Sequence, residues 1–93
     1  MQTAMPVKMY TSSWCGDCWR ARRFLQKHKI DFEEININQS DEAAALVMSH
    51  NGGKRRVPTF DINGSFHGNP PLSKLAALLV PLHLDSAQDG QKS

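Results

Sequence analysis

The chain has few means of covalent reinforcement, with only two cysteines among its 93 residues. A secreted domain of this size usually carries a framework of several disulfides, so so small a complement argues against a stapled scaffold and for a reducing compartment. Long apolar runs are absent too. Nothing approaches the ~18 residues of a membrane-spanning helix, and Met1 to Tyr10 holds one lysine and no apolar stretch of signal-peptide length. A soluble, cytoplasmic protein that spans no membrane is expected. Charge of one sign is likewise missing, because eleven Lys and Arg stand against nine Asp and Glu. No block of like charge is long enough to suggest nucleic-acid binding. The cations fall in two clusters, Arg20, Arg22, Arg23, Lys27 and Lys29, then Lys54, Arg55 and Arg56.

A chain of this length supports one core, and no repeat or low-complexity segment divides it. Residues 1–84 read as a single domain and 85–93, polar and small, as a flexible C-terminal tail. Val7 to Tyr10 reads as a strand, followed by small polar residues and a helix from about Gly16 to Lys29 whose buried side carries Cys18, Ala21, Leu25 and His28. Cations toward the end of that helix complement its dipole. Ile30 to Ile37 has strand formers, with Phe32 out of alternation with Ile35 and Ile37. Ser40 or Asp41 caps a helix through Ala44, Val47 and Met48 that Asn51-Gly52-Gly53 ends. Val57 to Phe66 reads as a hairpin turning at Asn63-Gly64, and Pro70-Pro71 opens a last helix through Leu79. The order βαβαββα predicts an α/β fold: a four-stranded mixed sheet with helices on both faces, since a parallel crossover needs a covered sheet.

Both cysteines fall in Trp14-Cys15-Gly16-Asp17-Cys18-Trp19, directly after the first strand. If the helix begins at the first of them, the two thiols lie about one turn apart, at ~5 Å, within disulfide reach. A thiol attacks only as thiolate, and the unpaired N–H groups and positive dipole end of a helix N-terminus favour that anion. Cys15 is then the exposed nucleophile and Cys18, one turn in, the shielded resolving thiol. Cys15 attacks a substrate disulfide, and Cys18 attacks the mixed disulfide to release the product. The carboxylate of Asp17, lying between the thiols, is read as tuning the ionisation of Cys15.

This arrangement resembles the glutaredoxin family of the thioredoxin-like fold over roughly Met5 to Leu79. The resemblance rests on the strand Val7-Lys8-Met9-Tyr10, the motif Trp14-Cys15-Gly16-Asp17-Cys18 and, about forty residues on, Val57-Pro58-Thr59. It implies a cis Pro58 facing the cysteines and a Val57 whose backbone pairs with the thiol substrate. Two elements depart from ordinary members. Gly16-Asp17 replaces Pro-Tyr, and Gly68-Asn69-Pro70-Pro71 stands where Gly-Gly and acidic residues hold the amino group of glutathione. Trp-Cys-Gly-x-Cys, Asn51-Gly52-Gly53 and Asn69-Pro70 look more like the mycoredoxin-type branch, whose members can serve a low-molecular-weight thiol other than glutathione. By this resemblance Trp14, Arg56, Val57, Pro58, Gly68 and Asn69 form the substrate and thiol site.

The reading is a monomeric dithiol–disulfide oxidoreductase acting on protein disulfides or mixed disulfides. No cofactor is bound, and glutathione or another small thiol serves as electron donor. A thioredoxin-type protein-disulfide reductase fed by a flavoprotein reductase is one alternative, and a metal or iron–sulfur carrier using the same cysteines is another. No two of His28, His50, His67 and His83 are spaced as a ligand pair, so no metal site is expected. Trp14 reads equally as groove wall or as core. Arg55 and Arg56 read equally as a carboxylate clamp and as a solvated loop.

Overall fold

Strand β1, Val7–Thr11, is central because its alternate side chains enter two different cores. Val7 and Met9 join one cluster and Tyr10 the other. The computed structural model describes the backbone of residues 7–87 and the side chains as far as residue 79. After β1 come α1 (Gly16–Lys27), β2 (Glu33–Asn36), a 3₁₀ turn (Ile37–Gln39), α2 (Asp41–Ser49), β3 (Thr59–Ile62), β4 (Ser65–Gly68) and α3 (Leu72–Ala87). The expected order and four-stranded mixed sheet are present. The strands lie in the order β2-β1-β3-β4, with β1 parallel to β2 and antiparallel to β3, and β3 antiparallel to β4.

Helices α1 and α3 cover one face of this sheet, burying Ala21, Leu25, Leu75 and Leu79 against Val7, Met9, Phe60 and Ile62. Helix α2 covers the other, with Ala43, Ala44 and Val47 against Tyr10 and Ile37. Leu25, Phe60 and Leu75 are wholly inaccessible, and burial of a side chain of this size contributes ~1.5–3 kcal/mol. The caps agree with the sequence pattern. The Ser40 hydroxyl accepts from Ala43 N at 3.1 Å at the start of α2, and Asn63 and Gly64 both take positive φ, at 52° and 92°, as a two-residue hairpin turn requires.

Boundaries differ where tertiary pairing overrides propensity. Helix α1 stops at Lys27, because Lys29 turns left-handed (φ 56°) and Ile30 N donates back to Leu25 O at 2.9 Å. His28 is thus the half-buried C-cap, its ring 4.5 Å from that of Phe24. The expected strand over Ile30 to Ile37 pairs with β1 only from Glu33 to Asn36. Ile30 and Phe32 pack against the α1–α3 core instead, and Ile37 enters the 3₁₀ turn that Asn36 caps. Val57 and Pro58 precede β3 rather than opening it, joined by a cis peptide bond. Helix α3 continues through Ala87, so residues 85–87 of the expected tail are helical, and 88–93 lie outside the described residues.

Candidate active site

The sheet register brings the two motifs together. Tyr10 stands opposite Thr59 across β1 and β3, so the chain leaving β1 toward Cys15 runs beside the chain entering β3 from Pro58. Cys15 is the N-cap of α1, with extended φ and ψ of −102° and 111°, and its Sγ accepts the backbone N–H of Cys18 at 3.1 Å. A sulfur in this position satisfies one of the orphan donors of the first turn, which is the interaction a thiolate needs. Across the groove, Cys15 Sγ lies 4.0 Å from Val57 O, at the limit of a thiol hydrogen bond. The two cysteines are not joined by a disulfide in this structure.

Cys18 is in a different environment. Its residue is 1 % exposed, and its thiol is pushed up to about 12, first by burial and then by hydrogen bonding to Cys15, with a hydrogen bond to the Ser12 backbone and, less, the Arg22 charge acting the other way. At neutral pH it is therefore protonated. Arg22, one turn further along α1, forks onto Glu34 of β2 through Nε (2.8 Å) and Nη2 (2.5 Å), and Glu34 Oε2 also accepts from the buried Thr11 hydroxyl at 3.1 Å. The fork holds the Glu34 carboxyl below its ordinary range and the Arg22 guanidinium above its own. Arg22 and Glu34 line the same cavity as Cys15, Trp14 and Trp19.

The cis-Pro58 wall is held from behind. Pro58 is buried and Val57 half-buried. Asn69, at φ 43°, donates its N–H to Pro58 O at 2.7 Å, and its Nδ2 approaches Asp17 Oδ2 at 3.3 Å. Asp17 also receives Arg20 Nη1 at 2.9 Å. Its carboxylate thus clasps the start of α1 to the β4–α3 connection. Asn51 Nδ2 donates to Val47 O at 2.7 Å and to Thr59 Oγ1 at 3.2 Å, and Thr59 in turn donates to Arg56 O. Gly68 packs beneath these residues, since a Cβ there would come within 2.2 Å of Asn51 Oδ1 and 2.6 Å of Arg56 Cδ.

The sequence-derived residues are accordingly divided. Cys15 meets Val57 O and lines one cavity, Asp17, Pro58 and Asn69 line a second, and Cys18 is buried one turn behind Cys15. Gly68 and Arg56 support the cis-Pro58 wall from behind, with the Arg56 side chain exposed. Trp14 is not core: it adopts φ 64° and is fully exposed at 101 %, and Trp19 is 55 % exposed beneath the Arg23 guanidinium, 5.1 Å from its ring centroid. Sequence reasoning missed three supports. Asn51 reads in sequence as part of a helix stop and of a branch resemblance, with no support role, and Arg22 only as one cation among several. Glu34, on a short edge strand, carries no local signal at all.

Comparison with known proteins agrees with this geometry. The glutaredoxin family model matches residues 7–67. A Mycobacterium tuberculosis protein named as a glutaredoxin is 40 % identical over 77 residues, covering 82 % of this chain and 92 % of its own. Mycoredoxin 1 of Corynebacterium glutamicum is 33 % identical over 67 residues, covering 72 % and 82 % respectively. Among solved structures, the glutaredoxin grx-1 of Archaeoglobus fulgidus superposes with a TM-score of 0.70 at 28 % identity, covering 80 % of this chain and 85 % of that one. The chain belongs to the glutaredoxin family, with its thioredoxin-like fold and its thiol–disulfide oxidoreductase activity.

Proposed function

We propose that the protein reduces protein disulfides and mixed disulfides of low-molecular-weight thiols by a dithiol cycle, with Cys15 attacking and Cys18 resolving. The asymmetry of the two thiols carries this reading. Cys15 caps the helix and accepts an N–H, whereas Cys18 is buried and protonated. Attack by the Cys15 thiolate on a disulfide R–S–S–R′ forms Cys15–S–S–R and releases R′–S⁻, which takes a proton from water. Cys18 then loses its proton and attacks Cys15 Sγ, so the intramolecular disulfide forms and R–SH leaves. Two electrons pass from the dithiol to the substrate, and a second thiol returns them.

The Val57-Pro58 segment lies across the groove from Cys15, where the Val57 backbone pairs with an extended cysteine peptide in the manner of an added strand. The site acts as a monomer in a reducing, cytoplasmic setting, recharged by a small thiol or a thioredoxin-type reductase. Trapping tests the cycle. Cys18→Ser exposed to oxidised cell proteins accumulates mixed disulfides on Cys15, whereas Cys15→Ser captures nothing and has no turnover. Equal capture by both variants overturns the assignment.

A further inference from the structure

Trp14 and Trp19 are the most exposed large apolar side chains among the described residues. Both line a cavity of about 480 Å³ together with Cys15, one to which neither Val57 nor Pro58 contributes. Trp14 holds its place there at a backbone cost. Its φ of 64° lies in the left-handed region, a genuine outlier for a bulky side chain, and such strain gathers at ligand-binding segments. Beyond Trp19 the helix continues in cations. Trp19, Arg23 and Lys27 follow one another at intervals of four, so they form one slowly turning stripe opposite the buried Cys18, Ala21 and Leu25. All three are exposed. The Arg23 guanidinium lies over the Trp19 ring, 5.1 Å from its centroid, which fixes a cation at the edge of the cavity. The carboxylates that border the site are already matched, Asp17 by Arg20 and Glu34 by Arg22. Among the described residues, neither Arg23 nor Lys27 has a carboxylate partner. The charge left uncompensated along this face is positive.

We propose that Trp14, Trp19 and the Arg23–Lys27 stripe form a docking surface for protein disulfides whose cysteine is followed or preceded by an aromatic residue and then by carboxylates. The proposal rests on the reading of Cys15 as the attacking thiol and names the class of substrate that reaches it. The partner's aromatic ring enters the cavity that the two indoles line, where aromatic pairs are worth more than their buried area alone. The carboxylates beyond it meet Arg23, whose fork suits a carboxylate, and then Lys27. From Trp19 to Lys27 the helix rises ~12 Å, a span that about four extended residues cover. A short acidic run is therefore sufficient, and a basic flank is repelled by the same two charges. The stripe lies on the outer side of α1, apart from the Val57-Pro58 segment, whose backbone pairs with a peptide whatever its side chains.

Cysteine peptides in disulfide linkage to thionitrobenzoate test this. Each carries a run of Glu or of Lys, with Phe or Ser between that run and the cysteine, and each is made with the flank before and after the cysteine. Release of thionitrobenzoate, the better leaving group, gives the second-order rate of attack by the reduced protein. In at least one orientation the Glu–Phe peptide should react about tenfold faster than the Lys–Phe peptide at low salt, and that ratio should shrink severalfold near ~0.5 M salt. Comparing two peptides within one protein cancels any change in the reactivity of the thiol itself. Arg23→Glu should bring the Glu-to-Lys ratio to about one or below, and Lys27→Glu should lower it by a smaller factor. Trp19→Ala should bring the Phe-to-Ser ratio, about fivefold in the parent, close to one. Equal rates for all the peptides in the parent protein overturn the proposal, as does a charge ratio undiminished in Arg23→Glu or a Phe-to-Ser ratio undiminished in Trp19→Ala. No release from any peptide, or release that survives Cys15→Ser, would instead overturn the underlying assignment of the attacking thiol.

Discussion

Cys15 lies between two walls of opposite construction. On one side, β1, α1 and β2 gather charged and hydroxyl groups, the Arg22–Glu34 fork and the Thr11 hydroxyl, around the thiols. On the other side, the wall is backbone: Val57 O and the cis-Pro58, propped by Asn69, Asn51, Thr59 and the vacant side-chain position of Gly68. The first wall carries charges and hydroxyls, and the second offers only backbone and apolar groups. If the proposed function holds, substitutions in the two walls should fall into two kinetic classes, one of rate and one of selectivity.

The largest separation is expected at the rim of the second wall. The pocket beside Pro58 is lined by Asn69, Pro70 and Pro71, and its one carboxylate, Asp17, is already engaged by Arg20 and Asn69. Among the described residues, no uncommitted carboxylate lines that pocket for a substrate ammonium. A missing charge-assisted hydrogen bond of this kind is worth ~1.5–3 kcal/mol, roughly ten- to a hundredfold in affinity. Glutathione turnover in the mixed-disulfide assay should accordingly be weak. Pro71→Asp should improve it chiefly through KM. Pro71 O already accepts from Leu75 N at 3.0 Å at the head of α3, a position that tolerates Asp as a cap. Efficient glutathione turnover by the unaltered protein would break the comparison, since the second wall would then not be selecting against that thiol.

A smaller effect should come from behind the same wall. Gly68→Ala places a methyl group against Asn51 Oδ1 and the Arg56 stem. Overpacking of this kind costs ~1–3 kcal/mol, and it should appear as a lowered denaturation midpoint together with a raised KM for peptide disulfides. Asn51→Ala alone should cost ~1–2 kcal/mol through its two lost hydrogen bonds. In combination the penalties should be less than additive, because removing the Asn51 amide opens the space that the methyl needs. Strict additivity would mean that the contact at Gly68 does not support the wall.

The two walls were also unequally legible in the sequence. The placement of Cys15 at the helix N-cap with Cys18 one turn in follows from four consecutive residues after a strand, and the hairpin at Asn63-Gly64 follows from its dipeptide. Each is a local signal. Glu34 and Arg22 meet only because β2 pairs in parallel with β1 in one register, Thr11 opposite Asn36. Asn51 reaches Thr59 only once α2 has crossed the sheet and the chain has turned back through the cis bond. Such contacts join segments whose separate sequences carry no trace of one another. The boundary errors have the same origin. Ile30 and Phe32 have strand propensity, but the register offers them no partner and the core offers them burial.

The subtlest difference between the walls should be seen in stability at alkaline pH. Cys18, on the charged side, is pushed from an ordinary value of 9.0 up to about 12 by burial and by the hydrogen bond to Cys15. A raised value in the folded state means that the native protein holds this proton more tightly than the unfolded chain does. Its contribution is complete below the unfolded value, declines as the unfolded chain begins to ionise, and is exhausted above the folded value. The reduced protein should therefore lose stability as pH rises through the interval from about 9 to about 12. Denaturant midpoints measured under excess reductant near pH ~8 and pH ~10 should fall more steeply for the parent protein than for Cys18→Ala. Tyr10, whose phenol is also pushed up by burial and then by Asp61 and Glu33, is present in both proteins and so cancels in the comparison. Gly68→Ala, on the backbone wall, should shift the midpoint at both pH values alike and leave the slope of the parent unchanged. A Cys18→Ala slope equal to that of the parent would show that the buried thiol is not the proton site that distinguishes the two sides of the groove.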